Sequence, residues 1–169
     1  MNKKPADYKQ FDARWRGKVY SAVGDARQTM KTSGCGPSAC ADVISTFCDK
    51  SITPWQVAQE FMEKGFRTRK SGTAFGAFKW AFQKYKGKGL SRFAQGRKCH
   101  AAVKTALAEG ALAVALMGPG YWTRGGHYIV VWKWEGGVVY ACDPGSSVRK
   151  RQPEDAFKKQ ARRYFAFWP

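Results

Sequence analysis

The chain has 169 residues, of which 44% are hydrophobic and 15% aromatic, a composition that supports one packed core and excludes a disordered polymer. Its 30 lysines and arginines against 12 aspartates and glutamates give a formal net charge of +18. Such a surface attracts an anionic polymer or an acidic partner, or else serves solubility alone. No apolar run approaches the ~20 residues of a bilayer-spanning helix, so we expect no membrane span.

The first 34 residues carry weak structural signals, and we expect irregular chain there with short strands at most. Residues 1–7 are interpreted as a flexible N-terminus. The short basic start at 1–4 is not followed by the apolar stretch of an export signal. This pattern favours synthesis in the cytoplasm, with later release from the cell or action at the cell wall left open.

Helices are predicted in the middle of the chain, where apolar residues recur at helical spacing. Thr53-Pro54 is a typical helix start, and Gly65 and Gly110 each end a helix. The predicted helices cover residues 36–49, 53–64, a segment that begins after 72–73, and 99–109.

The pattern changes to strands after residue 110. Gly136-Gly137 indicates a tight hairpin between two of them. The predicted strands cover residues 111–117, 127–135, 138–144 and, at the C-terminus, 162–169. Helices followed by an antiparallel sheet define a single α+β domain over residues 1–169, with an N-terminal helical half packed on a C-terminal antiparallel sheet.

The segment "TSGCGPSACADV" places Cys35 between two glycines at the start of the first predicted helix. A thiol there faces unpaired N–H groups and the positive end of the helix dipole, which favour the nucleophilic thiolate. The glycines let a substrate carbonyl approach the backbone, where the N–H of Cys35 can stabilise an oxyanion. Cys35 is therefore the candidate nucleophile, and an inert core cysteine is the competing interpretation.

A nucleophilic thiol needs a base, and the sequence contains two histidines. His127 begins a predicted strand and Asp143 ends its hairpin partner, so antiparallel pairing brings the two side chains together. Asp143 then orients the imidazole and completes a Cys35–His127–Asp143 triad. His100, early in a helix and without an evident acidic partner, is interpreted as a surface residue.

The cysteines do not suggest a metal site. None of the five stands in the CxxC spacing typical of zinc or redox motifs. We also find no Walker loop and no signature of the usual nucleic-acid modules. The sequence therefore implies no metal and no cofactor.

Two segments are expected to border the cleft. The glycine-rich segment 117–126 leads into His127, and its Trp122 either stacks on a substrate or packs against the sheet. The basic residues 149–151 follow the Asp143-Pro144 turn and are expected to flank the cleft mouth.

In this order, the elements "YKQFDARW", "SGCGPSACADV", "GGHYIVV" and "DPGSS" resemble the family-39-like cysteine peptidases, from about residue 8 to the C-terminus. Those enzymes are papain-fold relatives of the domain that removes double-glycine leaders from bacteriocins. The resemblance implies a papain-like fold, with Cys35 as nucleophile, His127 as general base and Asp143 as orienting acid. It also implies an oxyanion-hole glutamine, which Gln10 matches and for which Gln28 is the rival.

The sequence thus predicts a cysteine peptidase that hydrolyses a peptide or protein substrate through an acyl-enzyme intermediate. One alternative is a bacterial or phage lysin that cleaves cell-wall peptides by the same mechanism. Another is a non-catalytic module on the same fold, which binds an anionic polymer or acidic partner through its basic surface.

Overall fold

The computed structural model describes residues 3–70, 72–97 and 99–169. Residues 1 and 2, which belong both to the basic start and to the expected flexible N-terminus, lie outside the described residues. Pro5 is buried, and Lys3 donates from Nζ to the carbonyl of Thr46 at 3.0 Å. The flexibility of residues 1–7 stays a prediction.

The helices predicted from apolar spacing form, and one short helix lies in the N-terminal segment that was expected to be irregular. Before the first strand, the described residues form α1 (Met30–Ser33), α2 (Cys35–Phe47), α3 (Pro54–Glu63) and α4 (Gly76–Tyr85). Thr53 caps α3, because its hydroxyl accepts a hydrogen bond from the Gln56 N–H while the Gln56 side chain accepts one from the Thr53 N–H. α2 begins at Cys35, one residue before the predicted start, so the thiol lies in its first turn.

The second half of the described chain contains one antiparallel sheet. Its strands are β1 (Arg92–Arg97), β2 (Leu112–Met117), β3 (His127–Glu135), β4 (Val138–Cys142), β5 (Arg151–Pro153) and β6 (Ala161–Trp168). They lie in the order β1-β6-β2-β3-β4-β5. The hairpin between β3 and β4 turns at Gly136 and Gly137, whose φ angles of 59° and 72° favour glycine.

Apolar layers cover both faces of the sheet, because successive strand residues point to opposite sides. Val114 and Val130 pack in the layer that includes α2, α3 and α4. Ile129 and Val131 pack in the other layer, with α5 (His100–Ala108) and α6 (Glu154–Gln160). The predicted α+β arrangement is therefore confirmed, and the second face of the sheet is covered as well.

Sequence patterns missed the short helices α1 and α6 and the strands β1 and β5. β1 lies at one edge of the sheet and pairs with β6 alone. Its residues are exposed or half-buried, so they lack the apolar alternation by which strands are recognised. Within the described ranges, no helix is long and apolar enough to cross a membrane.

Candidate active site

Cys35 occupies the first turn of α2, directly after α1 and Gly34. The glycines beside it allow close packing. A Cβ on Gly34 would lie 2.5 Å from the carbonyl oxygen of Met30, and a Cβ on Gly36 would lie 2.4 Å from Oγ1 of Thr73. Both glycines are therefore required by the fold, independently of any substrate. Cys35 itself is partly exposed, so a reactant can reach the thiol.

His127 and Asp143 lie side by side on the β3–β4 hairpin. The two strands pair with Val130 opposite Cys142, which brings the start of β3 next to the residue that follows β4. Nε2 of His127 lies 2.6 Å from Oδ1 of Asp143, and both residues are buried. The pairing thus produces the proximity that the sequence argument predicts.

Cys35 and His127 line the same cavity, and each shifts the pKa of the other. Burial by itself raises the pKa of Cys35, but His127, together with the N–H groups of Tyr128 and Gly36, lowers that pKa below its usual value. Burial lowers the pKa of His127, but the interactions with Asp143 and Cys35 outweigh burial and raise that pKa to about 9. The pair therefore favours a thiolate and an imidazolium.

The carboxylate of Asp143 has two partners besides His127. Oδ1 also accepts a bond from the Gly145 N–H at 2.7 Å, and Oδ2 accepts one from Nε of Arg149 at 2.7 Å. Burial raises the pKa of Asp143, but His127 and Arg149 outweigh it and lower that pKa below its usual value. The sequence placed Arg149 at the cleft mouth and missed this contact; the short distance along the chain from Asp143 was the available signal.

Gln10 lies between the Asp143 turn and the helix that leads to Cys35. Its backbone N–H donates to the carbonyl of Pro144 at 2.9 Å, and its side-chain Nε2 donates to the carbonyl of Lys31 at 2.7 Å. The amide oxygen Oε1 is buried without a hydrogen-bond partner among the described residues. Because an amide group carries two N–H bonds, one donor of Gln10 remains beyond the bond to Lys31.

Gln28, the rival glutamine, belongs to a different network. Its Oε1 accepts a bond from Nη2 of Arg67 at 2.8 Å. Arg67 also donates to the carbonyls of Tyr20 and Gly72, at 2.9 Å and 2.8 Å. The Tyr20 hydroxyl lies 2.7 Å from Oγ1 of Thr73. Gln28 therefore helps to hold the Thr73 loop that packs against α2.

Asp42 in α2 anchors the segment that carries Gln10. Its Oδ1 accepts a bond from the Tyr8 N–H at 2.8 Å, and Nζ of the neighbouring Lys9 donates to the carbonyl of Asp143 at 2.9 Å. Asp42 is completely buried, and Oδ2 has no partner in the described part of the chain. Burial raises the pKa of this carboxyl well above its usual value. The sequence offered one signal, an acidic residue within a run of small and apolar ones.

Two cavities meet at the imidazole of His127. The thiol cavity has a volume of about 330 Å³ and is lined by Cys35, Gly72, Thr73, Phe75, Leu116, Gly126, His127 and Tyr128. The imidazole cavity has a volume of about 400 Å³ and is lined by residues 120–124, His127 and Arg149. Both volumes fall in the range of ligand-binding sites. His127 is thus accessible from two sides, and Cys35 lines one of the two cavities.

Trp122 and His100 take structural positions. Trp122 is buried and donates from Nε1 to Oε1 of Gln152 at 2.6 Å, so of the two expected roles it packs inside the domain. His100 was expected at the surface, but it is partly buried and its Nδ1 lies 2.9 Å from the hydroxyl of Tyr164.

The composition of the site gives no indication of a metal. The five cysteines are all free. Within residues 3–70, 72–97 and 99–169, no group of three or more His, Cys, Asp or Glu side chains is placed to hold a metal ion.

A cysteine at a helix start, facing a histidine–carboxylate pair on an antiparallel sheet, defines the papain-like class of α+β folds. The model of the Peptidase_C39 like family matches residues 8–167, and the chain belongs to that family of cysteine peptidases. The resemblance seen in the sequence is therefore confirmed. A search among curated proteins finds no match.

Two solved structures share the fold. One is a Bacillus anthracis protein described as a C39-like peptidase, with a TM-score of 0.57 and 16% identity over 80% of this chain and 88% of that chain. The other is the peptidase domain of Streptococcus ComA, a bi-functional ABC transporter involved in a quorum-sensing pathway. It has a TM-score of 0.52 and 19% identity over 82% of this chain and 93% of that chain.

Proposed function

We propose that the protein is a cysteine peptidase that hydrolyses peptide bonds through Cys35, His127 and Asp143. The observation that carries this proposal is the 2.6 Å contact between the imidazole of His127 and the buried carboxylate of Asp143, beside a cavity that Cys35 and His127 line together. Membership of a family of cysteine peptidases supports the same reaction class.

In this mechanism the Cys35 thiolate forms a bond to the carbonyl carbon of the scissile amide. The electron pair of the carbonyl moves to oxygen, and the resulting oxyanion is stabilised by first-turn N–H groups of α2 and by the remaining N–H of the Gln10 amide. The His127 imidazolium gives its proton to the leaving nitrogen as the C–N bond breaks. A thioester to Cys35 remains.

Hydrolysis of the thioester regenerates the enzyme. His127, now neutral, takes a proton from water as the water oxygen bonds to the acyl carbon, and the thiolate of Cys35 leaves. Asp143 keeps its bond to Nε2 throughout, so Nδ1 is the nitrogen that exchanges the proton.

The test is site-specific alkylation followed by a digest. Iodoacetamide at mildly acidic pH should modify Cys35 faster than Cys99, which is exposed but has no histidine partner among its described contacts. Cys35→Ala and Cys35→Ser should abolish cleavage of a peptide library, whereas the control Cys99→Ala should retain it. Cleavage by both Cys35 variants would contradict the proposal. Cell-wall peptides in the same digest distinguish a lysin from a protease of soluble substrates.

A further inference from the structure

A third cavity, of about 540 Å³, lies next to the imidazole cavity. We call it the basic cavity, because Lys4, Lys150 and Arg151 line it. Tyr121 lines both the imidazole cavity and the basic cavity. The two cavities are therefore neighbours, and an extended chain that leaves His127 on this side can reach the basic cavity.

Positive charge along this path is not balanced by nearby carboxylates. In the part of the chain that the structure describes, Arg124, Lys150 and Arg151 form no ion pair with an acidic side chain. Asp7 also lines the basic cavity, but it is paired with Lys9 at 2.5 Å. An anionic ligand on this side would thus meet free cations.

The roles of Cys35 and His127 determine how a substrate lies across the thiol cavity and the imidazole cavity. The acyl part becomes bonded to Cys35, which lines the thiol cavity and not the imidazole cavity. The leaving amine takes its proton from His127, which lines both. The acyl part therefore occupies the thiol cavity, and the amine part leaves through the imidazole cavity towards Arg124 and the basic cavity.

The two ends of the path differ in polarity. Phe75, Leu116 and Tyr128 give the thiol cavity a largely apolar wall. Arg124 and Arg149 line the imidazole cavity, and Arg149 is already bonded to Asp143. Arg124 is exposed and remains the cation available to a ligand there.

We propose that the substrate is an acidic peptide in a defined orientation, with an apolar side chain on the acyl side of the scissile bond and Asp or Glu residues on the amine side. Arg124 binds the acidic residue nearest the cleavage point, and Lys150 and Arg151 bind those further along. This inference rests on the proposed peptidase function, which it extends to a class of substrate.

The test uses quenched fluorescent peptides with one apolar acyl-side sequence and three amine-side versions, carrying Glu, Gln or Lys. We expect kcat/KM for the Glu peptide to exceed that for the Gln peptide by about threefold to tenfold, as for a small number of exposed ion pairs. The Lys peptide should be the poorest. The ratio of Glu to Gln should shrink as salt is added, because exposed charges are screened.

Variants that remove or reverse positive charges test which residues produce the preference for the Glu peptide. Arg124→Gln and the pair Lys150→Gln with Arg151→Gln should each lower the Glu-to-Gln ratio, and Arg124→Glu should favour the Lys peptide. The matched control is Lys64→Gln with Lys79→Gln, two exposed lysines that line none of the three cavities. The control should keep the ratio of the unmodified protein.

Binding of the same peptides to the Cys35→Ala protein, measured by fluorescence anisotropy, gives a readout without turnover. Tighter binding of the Glu peptide, lost in Arg124→Gln, is the expected result. Equal cleavage and equal binding of the Glu and Gln peptides would overturn the inference and leave the peptidase proposal standing. No cleavage of any library peptide together with slow alkylation of Cys35 would overturn the peptidase proposal, and the inference with it.

Discussion

Nε of Arg149 donates a 2.7 Å hydrogen bond to Oδ2 of Asp143, the carboxylate oxygen that His127 does not use. The side chain of Asp143 is fully buried, whereas that of Arg149 is 31% exposed. The positive guanidinium offsets the free-energy cost of burying the Asp143 carboxylate, and it limits rotation of the carboxylate plane. Oδ1 therefore stays directed at the imidazole. Arg149 acts on the site through Asp143 and is a positioning residue.

Replacing Arg149 should slow the reaction and shift its pH dependence. We expect Arg149→Gln to lower kcat about tenfold, the rate equivalent of roughly one hydrogen bond to a charged group. Without the guanidinium the pKa of Asp143 rises. Protonation of Asp143 then adds to the ionisation of Cys35 on the acid limb of the rate profile, which moves to higher pH. Arg149→Lys should restore part of both effects, and Lys64→Gln is the surface control. A slower enzyme with an unshifted profile would mean that Arg149 has a merely structural role.

The pH dependence of kcat/KM should be bell-shaped. Activity rises as Cys35 ionises, at a pKa below its usual value, and falls as the His127 imidazolium loses its proton near a pKa of about 9. Asp143→Asn removes a charge that raises the pKa of His127, so the alkaline limb should move to lower pH. His127→Ala should lower the rate more than Asp143→Ala, because the histidine transfers the proton and the aspartate orients it.

These profiles can be measured with a small neutral peptide, and the ultraviolet absorbance of the thiolate follows Cys35 directly. An alkaline limb near the ordinary histidine value of 6.5 would contradict the imidazolium assignment. Equal rates for the unmodified protein and His127→Ala would contradict the role of His127.

Replacing Gln10 should affect catalysis, whereas replacing Gln28 should affect stability. Gln10→Ala removes a proposed oxyanion donor and should lower kcat by about 10²-fold with a small change in KM. Gln28→Ala removes an acceptor of Arg67 and should lower the melting temperature while largely preserving kcat. Steady-state kinetics and thermal unfolding on both variants make the comparison. Loss of kcat in Gln28→Ala alone would transfer the oxyanion role to Gln28.

Asp42 should make folding stability pH-dependent. Burial raises its folded-state pKa well above the ordinary value of 3.8, so the unfolded chain ionises first as the pH rises. Stability contributed by this group is therefore present in acid and is lost as the pH rises from about 3.8 through the folded-state pKa. Asp42→Asn keeps an acceptor for the Tyr8 N–H without the ionisation.

Denaturant unfolding of the two proteins at several pH values tests this directly. Relative to the unmodified protein, Asp42→Asn should gain stability as the pH rises towards neutral. Asp42→Ala should lose about 1–3 kcal/mol, since the Tyr8 N–H is left without its acceptor. A stability difference between Asp42→Asn and the unmodified protein that does not change with pH would contradict the buried neutral carboxyl.

Local features of the sequence predict most of the helices and strands and the three residues of the proposed triad. Cys35 is recognisable because glycines and a helix start are local features. The Gly136-Gly137 turn places His127 and Asp143 on one hairpin. The register shift between Val131 and Lys133, which the turn does not predict, then puts their side chains on the same face. The family resemblance pointed to the same three positions.

Only the tertiary structure decided what surrounds those residues. Thr73, which is distant from Gly36 in the sequence, leaves no room for a Cβ at Gly36. The Tyr8 N–H in the N-terminal segment donates a hydrogen bond to Asp42 in α2. The edge strand β1 is defined by its pairing with β6, because its exposed residues show no periodicity. Periodicity reports which side of an element is buried, but not which distant residue covers it. Periodicity does not report the residues that contact Asp143, Gln10 and Asp42, so only the tertiary structure reveals them.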